Sequence, residues 1–235
     1  MASLDSTPIV LIPGLTDSPR LYQDQLPTLF RFGPVSVGDH TRDETIAGIA
    51  TRVLRDAPPR FALVGLSMGG YAALEIMRQA PERVLRLALL DTSARPETAE
   101  TSERRRLGIA NAQQGKYAEL VEASWPLMVH ESHLADEELK RVFVSMHLAA
   151  GPEVYVRQQR AIMTRVDSRP SLAAIRCPSL VLVGEGDKVT PVAVAEELAN
   201  GIAGCRLEVI PACGHLSALE QPGAVTSALT RWLES

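Results

Sequence analysis

The stretch FALVGLSMGGYAAL, residues 61–74, contains a lone serine at the point where one kind of secondary structure gives way to another. Residues 61–64 form an apolar run typical of a buried strand, and residues 68–79 have a helical pattern. Ser67 lies between them, with a glycine two positions to either side. The G-x-S-x-G pattern is weak alone. Between a strand and a helix it predicts a strained turn that exposes the serine hydroxyl, which makes Ser67 a candidate nucleophile.

Six short runs rich in Val, Ile, Leu and Ala predict buried strands of a parallel sheet that is covered on both faces. They lie at residues 9–12, 34–37, 61–64, 85–90, 180–183 and 207–210. Helical patterns between them lie at residues 45–57, 68–79, 192–200 and 223–233. Because parallel neighbours are joined by helical crossovers, this alternation predicts an α/β fold with a doubly wound, mostly parallel sheet of about six strands.

The alternation breaks over residues 95–170, where no strand-like run occurs. Helical patterns in this segment lie at residues 107–114, 117–129, 136–149 and 154–165. A segment of this length exceeds an ordinary connection between a strand and a helix. We therefore predict a core at residues 1–94 and 171–235, with residues 95–170 inserted as a helical cap, or lid, between the fourth and fifth strands. The alternative is that these helices simply cover one face of the sheet.

A serine nucleophile needs a base, and that base needs a carboxylate to orient it. His215 follows the sixth predicted strand, and Asp187 follows the fifth. Ser67, Asp187 and His215 all lie just beyond strand ends, at the edge where open α/β sheets bind ligands. They are the predicted catalytic residues. Asp91, after the fourth strand, and Glu185 are alternatives for the acid.

These motifs together resemble those of the α/β-hydrolase family over essentially the whole chain. The matching pieces are Ile12-Pro13-Gly14-Leu15, Gly65-Leu66-Ser67-Met68-Gly69-Gly70, Gly184-Glu185-Gly186-Asp187 and Gly214-His215. The resemblance implies that Ser67 is the nucleophile, His215 the general base and acid, and Asp187 the orienting carboxylate. It also implies an oxyanion hole formed by the backbone N–H groups of Leu15 and Met68.

Two features depart from the pattern of this family. Many relatives have His-Gly where this chain has Pro13-Gly14. The N–H group that matters belongs to the next residue, so the oxyanion hole is still expected. Few residues precede the first predicted strand, so the usual N-terminal hairpin of the fold is expected to be reduced or absent.

The resemblance implies a serine hydrolase that cleaves a carboxylic ester, with a small to medium acyl or aromatic group, through an acyl-enzyme and without a cofactor. The same triad also serves lactone hydrolases such as 3-oxoadipate enol-lactonase and carbon–carbon bond hydrolases, so both remain alternatives. A non-catalytic receptor that binds a small molecule under the cap is a further alternative. The complete set of three catalytic residues argues against a receptor, which has no need of all three.

Candidate substrate-binding residues come from two sources, positions next to the catalytic motifs and large side chains of the predicted cap. The residues in question are Leu15, Trp125, Met128, Met146, Val189 and Leu216. His147 and Tyr155 are further cap residues that could line a pocket. The cap residues are equally suited to packing within the cap. Because Arg and Lys do not cluster near the motifs, a polyanionic substrate is not expected.

Composition excludes several other classes of protein. The 235 residues are 46% hydrophobic and 22% charged, with a net charge of -4. No long basic run suggests a nucleic-acid partner, and residues 103–106, Glu-Arg-Arg-Arg, predict a solvated helix face. No stretch approaches the roughly 18 apolar residues of a membrane helix. The start of the chain lacks the pattern of a signal peptide, so a cytoplasmic protein without a membrane partner is predicted.

The cysteines and histidines do not predict a metal site. Cys177, Cys205 and Cys213 lack the spacing of a zinc site or of a disulfide framework, so reduced thiols that pack in the interior are expected. No G-x-G-x-x-G follows a strand, so no dinucleotide is implied. The expected partner is a small-molecule ester or lactone. No pattern in the sequence indicates an oligomeric state.

Overall fold

The computed structural model describes residues 6–235, and within them the strands form one six-stranded sheet in the order β2-β1-β3-β4-β5-β6. The strands are β1 (Ile9–Ile12), β2 (Val35–Val37), β3 (Phe61–Leu66), β4 (Val84–Leu90), β5 (Ser179–Gly184) and β6 (Arg206–Ile210). Every neighbouring pair is parallel. The predicted parallel α/β sheet is therefore confirmed. Over the described residues no strand precedes β1. Residues 1–5 of the predicted core lie outside them.

Helices flank the sheet and connect its strands. They are α1 (Leu26–Leu29), α2 (Ile46–Asp56), α3 (Met68–Gln79), α4 (Ala99–Gln113), α5 (Tyr117–Met128), α6 (Glu137–Ala150), α7 (Pro152–Met163), α8 (Val192–Gly201), α9 (Ser217–Glu220) and α10 (Pro222–Glu234). Helices α4 to α7 occupy the long segment between β4 and β5. The four helices predicted in this segment correspond to them, with shifted ends.

The largest shift is at the start of α4, which begins at Ala99 and not near residue 107. Thr98 explains the early start. Its side chain accepts a hydrogen bond from the backbone N–H of Thr101, and the Thr101 side chain bonds back to the backbone of Thr98. This capping box begins a helix whose first turns are polar and exposed, so apolar periodicity could not reveal them.

Alternate side chains of the strands enter two separate hydrophobic cores, one on each face of the sheet. Ile9 and Leu11 of β1 belong to the core that contains α9, α10 and the buried faces of α5 and α6. Val10 and Ile12 belong to the opposite core, which contains α2, α3 and α8. Burial on both faces explains why the strands read as continuous apolar runs.

The register of the central strands brings the loops that follow β3, β4 and β5 to one edge of the sheet. Leu66 pairs with Leu90, and Leu90 pairs with Leu182. The backbone N–H of Ser67 donates to Leu90 O at 2.9 Å, and that of Asp91 donates to Leu182 O at 2.8 Å. The residues just after the strands therefore lie side by side.

Among residues 6–235, no helix combines the length and the apolar character needed to span a bilayer. Cys177, Cys205 and Cys213 are free thiols; Cys213 is buried, whereas Cys177 and Cys205 are partly exposed, so interior packing was predicted correctly for Cys213 alone. Burial raises the pKa of the Cys205 thiol to about 11, so this side chain stays neutral near pH 7.

Candidate active site

Ser67 sits in a strained turn between β3 and α3. Its φ of 53° and ψ of -116° lie in a region that side chains with a Cβ rarely adopt. Three contacts hold the turn. The Ser67 N–H bonds to Leu90, the Thr92 hydroxyl donates to Ser67 O at 2.7 Å, and Gly70 N–H donates to the same oxygen at 2.9 Å. The predicted strained serine turn is present.

The two glycines of the motif are needed for close backbone packing. A Cβ on Gly69 would collide with the backbone carbonyl of Ile12 in β1. A Cβ on Gly65 would collide with the carbonyl of Gly69 itself. Both contacts are with backbone atoms, which cannot move aside, so a side chain at either position would displace the turn that carries Ser67.

Ser67, His215 and Asp187 form one chain of hydrogen bonds. His215 Nε2 lies 2.8 Å from Ser67 Oγ, and His215 Nδ1 lies 2.8 Å from Asp187 Oδ2. Because an ionised carboxylate only accepts, Nδ1 carries the proton, which leaves Nε2 of the neutral ring free to accept from the serine hydroxyl. This arrangement lets the imidazole take a proton from Ser67.

Asp187 is held as an anion by its own loop. Its Oδ1 accepts hydrogen bonds from the N–H groups of Val189 at 2.7 Å and Thr190 at 2.9 Å. Its Oδ2 also accepts from the Thr190 hydroxyl at 2.7 Å. Burial opposes ionisation, but the charge and hydrogen bond of His215, together with Thr190, lower the pKa of Asp187 below its usual value. Asp187 therefore remains ionised at neutral pH.

His215 is 1% exposed and its loop is fixed from two directions. Its backbone N–H donates to Met128 O at 2.9 Å, at the end of α5. Glu220 accepts from the N–H groups on either side, Gly214 at 3.0 Å and Leu216 at 3.1 Å. Burial lowers the pKa of the imidazole, but the negative charge and hydrogen bond of Asp187 outweigh it and raise the pKa to about 9.

The alternative acids do not contact His215. Asp91 is fully buried beside the triad, where its Oδ1 accepts from Gly184 N–H at 3.1 Å and its Oδ2 accepts from the Ser217 hydroxyl. Burial and the charge of Asp187 raise the pKa of Asp91 to about 8, so this side chain is neutral near pH 7. Glu185 is exposed. Of the three candidate acids, only Asp187 bonds to the imidazole.

The two residues whose N–H groups are expected to form an oxyanion hole lie near Ser67 along the chain or in space. Met68 is the first residue of α3, where backbone N–H groups have no acceptor within the helix. Leu15 follows Gly14, which lies beside Ser67, since a Cβ on Gly14 would be 3.4 Å from Ser67 Cβ. The next N–H group, of Thr16, donates to Gln158 Oε1 at 2.7 Å. The loop after β1 is thus bonded to α7 and lies beside the serine turn.

A cavity of about 470 Å³ opens above Ser67 and His215. All four helices α4 to α7 contribute to its walls, together with residues 15–17 of the loop after β1. Of the predicted substrate-binding residues, Leu15, Met128 and Val189 line this cavity. The cap residues His147 and Tyr155 line it too.

Trp125, Met146 and Leu216 do not line the cavity, which corrects the prediction that they contact the substrate. All three are buried in the core shared with α9 and α10. The Trp125 ring packs 5.5 Å from that of Phe143, and its N–H donates to Leu134 O at 3.2 Å. Size made Trp125 and Met146 candidates, and the position beside His215 made Leu216 one, but packing in the core determines where all three point.

Three charged residues of the cavity wall were not expected there from the sequence. Arg104 and Arg105 of α4 both line the cavity. The prediction of a solvated helix face at residues 103–106 holds for Arg104, whose side chain is 68% exposed, but not for Arg105, whose side chain is 22% exposed. Arg105 is bound to Glu97 at 3.1 Å and to Gln159 Oε1 at 2.8 Å. Asp17 lines the cavity as well. The sequence indicated a place for Asp17 in the cavity only through its position, three residues after Gly14 in the loop that follows β1.

The described residues 6–235 contain no group of three or more His, Cys, Asp or Glu side chains placed to hold a metal ion. At the base of the cavity, the polar groups joined by a hydrogen bond are Ser67 Oγ and His215 Nε2. The chemistry available at Ser67 is therefore that of a hydroxyl with a base beside it.

A model of the alpha/beta hydrolase family matches residues 9–228. This chain belongs to that family. Among curated relatives, this chain is similar to a pimeloyl-acyl-carrier-protein methyl ester esterase of Aromatoleum aromaticum, with 27% identity over 196 aligned residues. The alignment covers 79% of this chain and 78% of the esterase. This chain is also 29% identical over 173 residues to 3-oxoadipate enol-lactonase 2 of Acinetobacter baylyi, covering 73% of this chain and 62% of that enzyme.

Solved structures agree with the fold of this hydrolase. A thermophilic esterase from Thermogutta terrifontis superposes with a TM-score of 0.89 at 29% identity, covering 97% of this chain and 89% of the esterase. An enol-lactonase from Burkholderia xenovorans superposes with a TM-score of 0.88 at 24% identity, covering 98% of this chain and 92% of the lactonase. The second likeness shows the fold alone. Esterases and lactonases thus share this architecture.

Proposed function

We propose that this hydrolase cleaves a carboxylic ester with a small to medium acyl or aromatic group, using Ser67 as nucleophile, His215 as base and Asp187 as orienting acid. One observation carries the proposal. The 2.8 Å contact between Ser67 Oγ and His215 Nε2 continues through the 2.8 Å contact between His215 Nδ1 and Asp187 Oδ2, at the base of a cavity. A structural serine would have no need of a buried imidazole and carboxylate in line with it.

The first half of the reaction forms an acyl-enzyme. Ser67 Oγ attacks the ester carbonyl carbon as its proton passes to His215 Nε2, and Asp187 stabilises the imidazolium that results. The carbonyl oxygen becomes an oxyanion, which the N–H groups of Leu15 and Met68 bind. When the tetrahedral intermediate collapses, the bond to the alcohol oxygen breaks and His215 returns the proton to that oxygen. The alcohol leaves and the acyl group stays on Ser67.

The second half releases the acid. A water molecule takes the place of the alcohol and gives a proton to His215 Nε2 as its oxygen attacks the acyl carbon. The same two N–H groups bind the second oxyanion. Collapse breaks the bond to Ser67 Oγ, which regains its proton from His215. The net reaction consumes one water and one ester and yields one acid and one alcohol.

The walls of the cavity support a small to medium substrate. About 470 Å³ is toward the lower end of the usual range for ligand sites. Leu107, Leu120 and Val121 give the part formed by α4 and α5 an apolar surface. We propose that residues 95–170 act as the cap of a core made of residues 1–94 and 171–235, because all four of the inserted helices contribute to the walls of this cavity.

Similarity to named enzymes supports ester chemistry and keeps one alternative open. The relatives include an enzyme named as a methyl ester esterase and one named as an enol-lactonase, at 27% and 29% identity. A lactone is an internal ester, so the same nucleophile and oxyanion hole would open its ring. Hydrolysis of an enol-lactone is therefore the second candidate function.

Hydrolysis of p-nitrophenyl esters from acetate to laurate, beside a five-membered enol-lactone, tests the proposal. We expect ester turnover in the wild type that is lost in Ser67→Ala. The matched control is Ser227→Ala, an exposed serine on α10 that should keep full activity. The acyl chain length that gives the highest kcat/KM measures the size of the pocket that binds the acyl group.

Three other results would change the assignment. Fast lactone opening without ester turnover would favour the second candidate. Near wild-type activity in Ser67→Ala would exclude Ser67 as the nucleophile. An absence of labelling by a fluorophosphonate probe in the wild type would show that Ser67 is not activated and would favour a receptor.

A further inference from the structure

Asp17 places a carboxyl oxygen without a hydrogen-bond partner in the wall of the cavity. The residue lies in the loop after β1, two positions beyond Leu15, and its side chain is 4% exposed. Its Oδ1 is buried and has no hydrogen-bond partner. A buried polar atom without a partner costs free energy, and native proteins seldom leave one unless function requires it. Asp17 therefore calls for a partner that the described residues do not supply.

His147 of α6 faces this oxygen from the other side. Its Nε2 lies 3.8 Å from Asp17 Oδ1, too far for a hydrogen bond. Its Nδ1 lies 2.9 Å from Phe143 O, and because a carbonyl only accepts, Nδ1 carries a proton. The ring is thereby oriented with Nε2 toward Asp17. Both side chains line the cavity, and the 3.8 Å gap between Asp17 Oδ1 and His147 Nε2 lies in its wall.

Neighbouring donors are committed elsewhere. The Tyr117 hydroxyl donates to His147 O at 2.8 Å, and the Thr16 hydroxyl donates to Leu15 O at 2.7 Å. The Arg105 guanidinium donates its hydrogen bonds to Glu97 Oε1 and Gln159 Oε1. Burial raises the pKa of Asp17 in spite of the charges of His147 and His215, which lower it. The backbone of Gly14 bonds to the carboxyl group, but the described residues give its Oδ1 no hydrogen bond.

The gap has the dimensions of a bridging hydroxyl group. An oxygen atom about 2.8 Å from both Asp17 Oδ1 and His147 Nε2 would see them at an angle of about 85°. A hydroxyl can donate to one group and accept from the other, whichever of the two carries the proton. An ammonium group only donates, so it would suit the gap only if both atoms were acceptors. A methyl group would leave both unpaired.

We propose that Asp17 and His147 form a polar subsite that binds a hydroxyl group of the substrate, so that this enzyme prefers hydroxylated esters. The proposal rests on the proposed esterase function and specifies its substrate class. The subsite shares the loop that carries Leu15, so the hydroxyl lies within a few bonds of the ester carbonyl. Specificity follows because a site built to bond a hydroxyl rejects an analogue without one.

The test compares methyl butyrate with its 2-hydroxy, 3-hydroxy and 2-amino derivatives, with acid release as the measure of kcat/KM. In the wild type we expect one hydroxy ester to exceed butyrate by about tenfold or more. Asp17→Ala and His147→Leu should each bring this ratio to within about twofold of unity, since either change removes one side of the bridge. A purely structural role would lower kcat/KM for all the esters equally and leave the ratio unchanged.

Ser18→Ala is the matched control, because Ser18 is next to Asp17 in the loop but bonds to the backbone of Arg20 and does not line the cavity. Its ratio should equal that of the wild type. Equal rates for hydroxy esters and butyrate in the wild type would overturn the subsite. So would a retained preference in either variant with native near-UV circular dichroism, and so would a dominant preference for the amino ester.

Failure of the esterase proposal would look different from failure of the subsite. Butyrate turnover that disappears in Ser67→Ala supports the proposed function, whatever the hydroxy ratio. Butyrate turnover that depends on Ser67 but shows no hydroxyl preference overturns the subsite alone. Turnover that persists in Ser67→Ala, or none of any ester in the wild type, overturns both.

Discussion

Met128 accepts a hydrogen bond from the backbone N–H of His215 at 2.9 Å, which joins the end of α5 to the loop that carries the imidazole. Glu220 completes this junction. Its Oε2 accepts from the N–H of His130 at 2.8 Å as well as from that of Gly214 at 3.0 Å. One carboxylate therefore holds the His215 loop and the end of the α5 segment together, close to the reacting atoms.

The first prediction concerns this carboxylate. In Glu220→Gln, one oxygen becomes an NH₂ group that faces backbone N–H donors, so the loop must shift. We expect kcat to fall about 10- to 100-fold with a small change in KM, since a displaced imidazole affects the chemical step more than binding. Steady-state kinetics on a p-nitrophenyl ester measures it. Glu196→Gln, an exposed residue of α8, is the control, and equal kinetics in both variants would contradict the prediction.

The second prediction separates the two buried aspartates. Asp187→Asn should lower kcat by about 10⁴-fold, because an amide does not hold Nδ1–H in place or stabilise the imidazolium. Asp91→Asn should lower kcat by about tenfold or less, because Asp91 bonds to Gly184 and Ser217 and not to His215. The kinetics of the two variants under the same conditions decide the matter. The opposite ranking would make Asp91 the catalytic acid.

The third prediction is the pH dependence of activity. Only the neutral imidazole of His215 can accept a proton, so kcat/KM should rise with pH. Its midpoint should lie above the 6.5 of a free histidine and toward 9, because Asp187 raises the pKa. Asp187→Asn should move the midpoint down. A pH–rate profile with a stable amide or alkyl ester measures both. A wild-type midpoint at or below 6.5 would show that burial outweighs Asp187.

The fourth prediction is the pH dependence of stability from Asp91. Its pKa is raised from about 3.9 in the unfolded chain to about 8 on folding, so the folded state binds an extra proton between these values. This contribution to the free energy of unfolding is full below about pH 4 and is lost as pH rises through about 8. Urea titrations at several pH values should show a steeper decline in the wild type than in Asp91→Asn, by up to about 1.4 kcal/mol per pH unit.

Asp24→Asn controls for this experiment, because Asp24 is an exposed residue of the loop before α1. Its stability should follow pH as the wild type does. If Asp91→Asn and the wild type declined in parallel, Asp91 would be ionised in the folded protein.

The fifth prediction concerns the strain at Ser67. Glycine adopts a φ of 53° without penalty, whereas alanine keeps the Cβ that makes this region unfavourable. Ser67→Gly should therefore be more stable than Ser67→Ala by about 1–2 kcal/mol, although both lack activity. Denaturant unfolding of the two variants gives the difference. The matched control is the same pair of substitutions at Ser227, which lies within α10. At that helical position Ser227→Ala should be more stable than Ser227→Gly.

The sheet and the hydrogen-bonded set of Ser67, His215 and Asp187 could be predicted because their signals are local. Strands buried on both faces give continuous apolar runs, and Ser67, Asp187 and His215 each follow such a run within a short motif. The walls of the cavity could not be predicted in the same way. Trp125 and Leu107 are both apolar residues of the inserted segment, yet Trp125 packs in the core and Leu107 lines the cavity. Only the packing of helices against one another decides between them.

Charged groups were the hardest to interpret from the sequence. Arg105 stands in a run of arginines that reads as a solvated surface, but Glu97 and Gln159 draw it into the cavity wall. Asp91 follows β4 as a catalytic acid would, and its burial keeps it protonated. Both outcomes depend in part on residues distant in sequence, Gln159 for Arg105 and Ser217 for Asp91, which no local pattern specifies.

The bond between Thr16 and Gln158 limits how freely this enzyme could exchange parts with its relatives during evolution. Thr16 has a φ of 55°, and its N–H is satisfied by Gln158 Oε1 from α7, whose Nε2 in turn donates to His40 O at 3.0 Å. A chimera that received the inserted helices of another family member would lose this glutamine unless the donor supplied one. The recombined protein would keep its triad but leave the loop of Leu15 unsupported. The inserted helices and the loop after β1 should therefore be exchanged together, because Gln158 of α7 bonds to Thr16 of that loop.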